Sequence, residues 1–160
     1  MKINLTQNKN FKLFKIISKV AQENNQTVYI VGGYVRDLLM QRKAPTDIDF
    51  VTEQSGIELA KAVGKELGDL KVSVFKTYGT AMIKYQDLDL EFVGARKESY
   101  SEDSRKPAVE TGTLEDDQKR RDFTVNALAI SLNSENFGEL IDPFNGRGDM
   151  LNKILRTPLE

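Results

Sequence analysis

Neither cysteine nor histidine occurs anywhere in the 160 residues. The first absence excludes disulfide scaffolds, thiolate metal sites and thiol nucleophiles. The second removes the commonest general base and the commonest zinc ligand together. Any metal bound here must therefore be a hard cation held by oxygen. Long apolar runs are missing as well: none approaches the ~18 residues of a membrane span. The amino terminus, MKINLTQNKNFKLF, lacks the apolar stretch of a secretion signal, and the expectation is a cytoplasmic protein. There is also no excess of positive charge, with 23 Lys and Arg against 24 Asp and Glu. No global field is available to hold nucleic acid by counter-ion release, so any such grip must be local or supplied elsewhere.

What is present suits one globular domain of mixed type. The chain length is that of a single domain able to bury a core. Phe11, Phe14, Ile16, Ile17, Val20 and Ala21 recur at helical spacing and predict a helix over 11–23. TVYIV (27–31) reads as a short strand that meets Gly32-Gly33 and then a helical segment through Val35, Leu38 and Leu39, broken by Ala44-Pro45. DIDFVT (47–52) alternates and reads as a second strand. Ser55 is placed to cap a helix over 56–67. Strands are expected at 71–75, 80–85 and 88–93, the last two joined by a hairpin at Tyr85-Gln86-Asp87. The polar segment 97–107 reads as a loop, 114–119 and 124–130 as helices, Asp142-Pro143 as a turn and 148–153 as a last helix. Interleaved helices, strands and hairpins favour an α/β (α+β) fold with a mixed sheet flanked by helices.

The chemistry concentrates at Asp47-Ile48-Asp49. Side chains two apart on a strand share a face, so Asp47 and Asp49 project together while Ile48 and Phe50 turn to the core. Two carboxylates on one face repel unless a cation lies between them, and Mg²⁺ suits that position. The alternative is a solvated strand face, since three-residue patterns are weak alone. Upstream, Gly32-Gly33-Tyr34-Val35-Arg36-Asp37 turns a strand into a helix. Glycine allows close backbone approach and helix N-termini favour phosphate, while Arg36 is able to fork onto one. The spacing matches neither a Walker loop nor GxGxxG. A plain strand-to-helix turn with a surface arginine is the simpler reading.

Taken together, VGGYVRDLL followed by DIDF resembles motif A of class II CCA-adding enzymes and bacterial poly(A) polymerases, within the polymerase-β nucleotidyltransferase superfamily. RRDFTVNALA (120–129) resembles motif B of that family, IDPFNGR (141–147) motif C, and ILRT (154–157) the segment after it. Gln41 stands where a glycine is common, and Val93-Gly94-Ala95-Arg96 replaces a more usual threonine-rich run. The resemblance implies two Mg²⁺ ions on Asp47, Asp49 and a third carboxylate on a neighbouring strand. Glu91, five residues before Arg96, matches that position best, with Asp89 second. It further implies attack by an RNA 3′-hydroxyl on the α-phosphate of CTP or ATP, with one metal activating the hydroxyl and the other stabilising pyrophosphate. Gly32, Gly33, Arg36 and Arg121 match the family's phosphate contacts, and Asp122 and Asn126 its ribose-side contacts. Asp122 is equally placed to cap a helix at 124–130. Arg96 either packs beneath the site or contacts phosphate, while Lys97, Arg105 and Lys106 touch RNA, cover the nucleotide or, on the simpler reading, decorate a solvated loop.

The implied arrangement is a catalytic head over 1–145, with 146–160 opening a connection to a base-selecting neck and tRNA-binding helices. On that expectation these residues alone bind Mg²⁺–nucleotide weakly and add CCA poorly. CCA addition to tRNA is the leading reading. A poly(A) polymerase head shares the motifs. A non-catalytic nucleotide- or RNA-binding module of the same fold would predict a broken carboxylate set, and a small-molecule nucleotidyltransferase would have no need of RRDFTVNALA.

Overall fold

The apolar spacing of the first helix is realised in α1 (Phe11–Glu23), which buries Leu13, Phe14, Ile17, Val20 and Ala21 and leaves Lys12, Lys15 and Lys19 in solvent. In the computed structural model, which describes residues 1–99 and 108–158, β1 (Tyr29–Val31) runs through the glycine turn straight into α2 (Gly33–Leu39). Next come β2 (Asp47–Thr52), α3 (Gly56–Glu66), β3 (Val72–Phe75), β4 (Thr80–Tyr85) and β5 (Leu88–Gly94). Ser55 caps α3 as expected, its hydroxyl accepting from the Glu58 amide at 3.1 Å. The β4–β5 link is a two-residue turn with Tyr85 opposite Leu88 and Gln86 at φ 55°.

Two expectations need correction. Residues 124–130 are not a helix. Thr124–Asn126 makes one 3₁₀ turn, and the chain then extends into β8 (Ala129–Ser131). A continuous apolar run containing Ala and Leu has no period that separates helix from buried strand. Here the free edge of β1 decides, pairing Ile30 with Ile130, and β8 in turn takes β9 (Leu140–Ile141). The segment 97–107 is likewise not all loop: β6 (Arg96–Ser99) pairs antiparallel with β7 (Ala108–Thr111). Lys97 is exposed on β6, while Arg105 and Lys106 lie outside the described residues. After β7 come α4 (Leu114–Lys119) and α5 (Gly146–Leu151). The last helix starts two residues earlier than its pattern suggests because Asn145 caps it, accepting from the Gly148 amide at 3.3 Å.

The main sheet has the order β3-β4-β5-β2-β1-β8-β9. β2 and β5 are parallel and every other pair is antiparallel, so the sheet is mixed and the fold α+β. One face carries Ile30, Ile48, Phe50, Leu90, Phe92 and Ile130 into the core cluster with α1 and α3. Phe50 and Phe92 stack with centroids 5.0 Å apart, and Phe14 meets Phe50 edge-on at 6.3 Å. Burial of each such side chain stabilises the fold by about 1.5–3 kcal/mol. The opposite face has a smaller apolar patch of Val31, Val51, Ala95 and Ala129 beneath Leu114 of α4. The remainder of that face is polar and carries the carboxylates. Among the described residues no helix is long and apolar enough to cross a membrane.

Candidate active site

Strand register assembles the site. Asp47 stands beside Asp89 and Asp49 beside Glu91 across the parallel β2–β5 pair. Ile48 and Phe50 are fully buried on the far face, which locks the register and turns all four acids to the same side. The acids then separate. Asp89 lies 3.7 Å from Lys84 in an ion pair. Glu91 and Asp49 are close enough that each acts on the ionisation of the other. Burial pushes the Asp49 carboxyl up, against the pull of Arg121; Glu91 is raised by burial and then by the Asp49 charge. The Asp47 charge acts on both in the same direction. Asp47 itself is exposed, at the start of β2. No group of three or more acids is already closed around a common point among the described residues. The side chains nevertheless fit a hard divalent cation. They are oxygen donors only, crowded and short of compensating charge, as Mg²⁺ requires.

The glycine turn borders these acids. Gly32 has φ 75°, which a residue with a Cβ rarely adopts. A Cβ there would lie 3.4 Å from Arg121 Nη1 and 3.7 Å from Asp49 Oδ2. A bare backbone, an arginine and a carboxylate thus meet at one point. Gly33 opens α2, and a Cβ on it would meet Arg36 Nη2 at 3.3 Å.

Arg36 does not hang free. Its Nε donates to Asp37 Oδ1 at 3.1 Å and its Nη1 to Asn126 Oδ1 at 2.8 Å. The Asn126 amide nitrogen donates to Asp122 Oδ1 at 3.1 Å. That contact, together with the Phe123 amide, holds the exposed Asp122 carboxyl below the usual range. Arg36, Asn126 and Asp122 therefore form one line from α2 to the 3₁₀ turn. Asp122 does not cap a helix; its partners are the Phe123 amide and Asn126. Arg121 sits on the other side of the glycine turn, with Nε and Nη2 donating to Asp117 Oδ2 at 3.2 and 3.0 Å. Arg96 contributes its carbonyl, which accepts from Arg120 Nη1 at 3.4 Å.

Several supporting residues carry no signal in the motifs alone. Asp117 precedes Arg121 by four residues, a helical spacing that places them as neighbours. Gln118 is buried and donates to the carbonyls of Ala127 and Ile141, at 3.0 and 3.1 Å, tying the 3₁₀ turn to β9. Motif C shapes the chain locally, since Asp142 accepts from the amides of Gly146 and Arg147 at 2.7 and 3.1 Å. This bends the chain into α5, where the buried Asp149 takes the Thr124 hydroxyl at 2.5 Å. The 420 Å³ cleft lined by Gln22, Gln26, Tyr29 and Asn133 includes none of the acids or arginines above.

Comparison with known proteins shows the family and the fold. The family described as the Poly A polymerase head domain matches residues 28–156. The A-adding tRNA nucleotidyltransferase of Aquifex aeolicus is 46% identical over 129 residues, covering 81% of this chain and 15% of that protein. A structure described as a tRNA-processing enzyme in an apo form superposes with a TM-score of 0.84 at 39% identity, covering 99% of this chain and 38% of the other. A tRNA nucleotidyltransferase complexed with a primer tRNA and an incoming ATP analogue superposes with a TM-score of 0.76 at 41% identity, covering 89% and 38%. The chain thus spans 15–38% of the length of these relatives.

Proposed function

The chain belongs to the poly(A) polymerase head-domain family, and from that premise we propose that it transfers a nucleoside monophosphate from ATP or CTP to the 3′-hydroxyl of tRNA, releasing pyrophosphate. The observation that carries this reading is the junction of three elements at Gly32. The Asp49–Glu91 pair, the Arg121 guanidinium and an unobstructed backbone meet there. Acids alone would fit many cation sites, and an arginine at a glycine turn many anion sites. Both together fit a metal-bound triphosphate.

In this reading Asp47, Asp49 and Glu91 hold Mg²⁺, as the sequence implies for a pair of ions. When bound, magnesium supplies charge neutralisation at the reacting phosphate and lowers the pKa of the attacking hydroxyl. The side chains do the rest. The Gly32–Gly33 backbone lets the phosphates approach α2. Arg121 offers Nη1 to them. Arg36 is fixed by Asp37 and Asn126 with its guanidinium over Gly33, and the Asn126–Asp122 step offers hydrogen-bonding groups for the ribose. Burial raises the Asp49 and Glu91 carboxyls, and a bound cation would favour their ionised forms. We take residues 1–145 as the catalytic unit, with 146–156 packed back on it through Thr124, and the cytoplasm as its location.

A second reading concerns what is added. The Aquifex aeolicus relative is named for A addition, which favours ATP as donor, whereas the motifs by themselves fit addition of C, C and A. One assay tests both, using tRNA lacking its 3′ terminal nucleotides with ATP or CTP offered singly. Incorporation from ATP alone supports A addition, and incorporation from both supports the fuller reaction. Asp47→Ala and Asp49→Ala each abolish transfer with unchanged circular dichroism; activity in both variants would refute the metal assignment.

A further inference from the structure

Arg121 has a choice of acids. Its charge acts on Asp49 and Glu91, and Asp117 lies one helical turn before it. A guanidinium fork prefers a planar carboxylate partner. Were it to close on Asp49 or Glu91, it would occupy the oxygens that a cation needs. In the structure it closes on Asp117 instead, through Nε and Nη2 to a single oxygen. Asp117 is held for this. It is 8% exposed and lies in α4, whose start is set by a capping box between Thr113 and Asp116. With two of its nitrogens engaged, Arg121 presents Nη1 at the Gly32 turn.

We infer that Asp117 is a positioning residue: it keeps the Arg121 fork off the Asp49–Glu91 pair and aims its remaining nitrogen at the phosphates of the bound nucleotide. The identity of that ligand rests on the proposed function. Asp117 touches neither nucleotide nor metal in this arrangement and acts only through Arg121.

A double-mutant cycle in the 160-residue chain tests this, with Asp117→Ala, Arg121→Ala and both together. The readouts are the Kd for Mg²⁺–ATP and the Mg²⁺ concentration at half-saturation. Loss of a charge-assisted hydrogen-bond pair corresponds to about tenfold in affinity. Asp117→Ala should weaken Mg²⁺–ATP by that factor and raise the Mg²⁺ requirement, because the freed fork then competes for the acids. In the Arg121→Ala background the same change should have less than about twofold effect, since nothing remains to be positioned. Asp117→Glu should restore part of the loss. Equal cost in both backgrounds would mean a structural role and overturns the inference. If Asp117→Ala fails to melt cooperatively, Asp117→Asn is read in the same cycle. Loss of binding in Asp49→Ala but not in Arg121→Ala would leave the nucleotidyltransferase reading standing and sink the role of Asp117. Unchanged binding in both would sink the functional reading itself.

Discussion

A carboxyl that resists ionisation in the fold ionises freely once the chain unfolds. Asp49, raised above its ordinary 3.8 by burial, and Glu91, raised above 4.5 by burial and by Asp49, therefore destabilise the metal-free protein as pH rises. The folded state binds more protons than the unfolded one between those ordinary values and the raised ones. Stability falls across that window and stays low above it. Asp49→Asn should accordingly melt higher than the parent at about pH 7.5 without metal, with the gap closing as pH falls towards about 4. Millimolar Mg²⁺ should raise the melting temperature of the parent and not of the variant. Melting curves that run parallel at every pH would contradict this account. The Asp-x-Asp spacing was readable from the residues, because strand alternation requires it. The choice of Glu91 over Asp89 was implied by resemblance; in the structure Asp89 pairs with Lys84 at 3.7 Å.

At the scale of elements, the 3₁₀ turn at Thr124–Asn126 links α2 and α5. Asn126 reaches Arg36 on one side, and Thr124 reaches Asp149 on the other. The Thr124 amide also donates to the Arg156 carbonyl at 2.8 Å, and Arg156 approaches Asp149 at 3.7 Å. Gly146 abuts the Thr124 carbonyl so closely that any Cβ there would force the backbone apart. Asp149→Ala leaves a buried hydroxyl without its acceptor and should cost about 1–3 kcal/mol in urea unfolding. Thr124→Val should cost a similar amount, and the double variant well under the sum. Additive losses would show that the two residues do not work as a pair. Helix and strand boundaries with a cap or a clear period, such as α1, α3 and β2, were legible beforehand. The 124–130 segment was not, because its apolar residues serve a central strand buried on both faces, and burial on both faces erases the period.

For the molecule as a whole, charge balance matters most. With 23 basic and 24 acidic residues and an acid cluster at the site, nonspecific RNA affinity should be weak, and its salt dependence shallow because few phosphates are neutralised. In the proposed function the groups assembled around Gly32 address phosphate and ribose, and none of those named is assigned to a base edge. The 160-residue chain should therefore bind Mg²⁺–ATP and Mg²⁺–CTP with constants within about tenfold of each other, a difference under about 1.4 kcal/mol. Calorimetric titration of both nucleotides measures this. A preference of about a hundredfold would place a base-selecting element inside these residues.

The order of amino acids by itself determined the excluded chemistries, the two carboxylates sharing a strand face and the glycine turn into a helix. Each of these depends on residue type or on spacing within one element. Only the tertiary structure decided which acid stands beside Asp49 and that Arg36 reaches Asn126 ninety positions away. Those contacts join separate elements. They exist because the buried Ile48 and Phe50 lock the register of the sheet, and side chains distant in sequence meet only once that register is set.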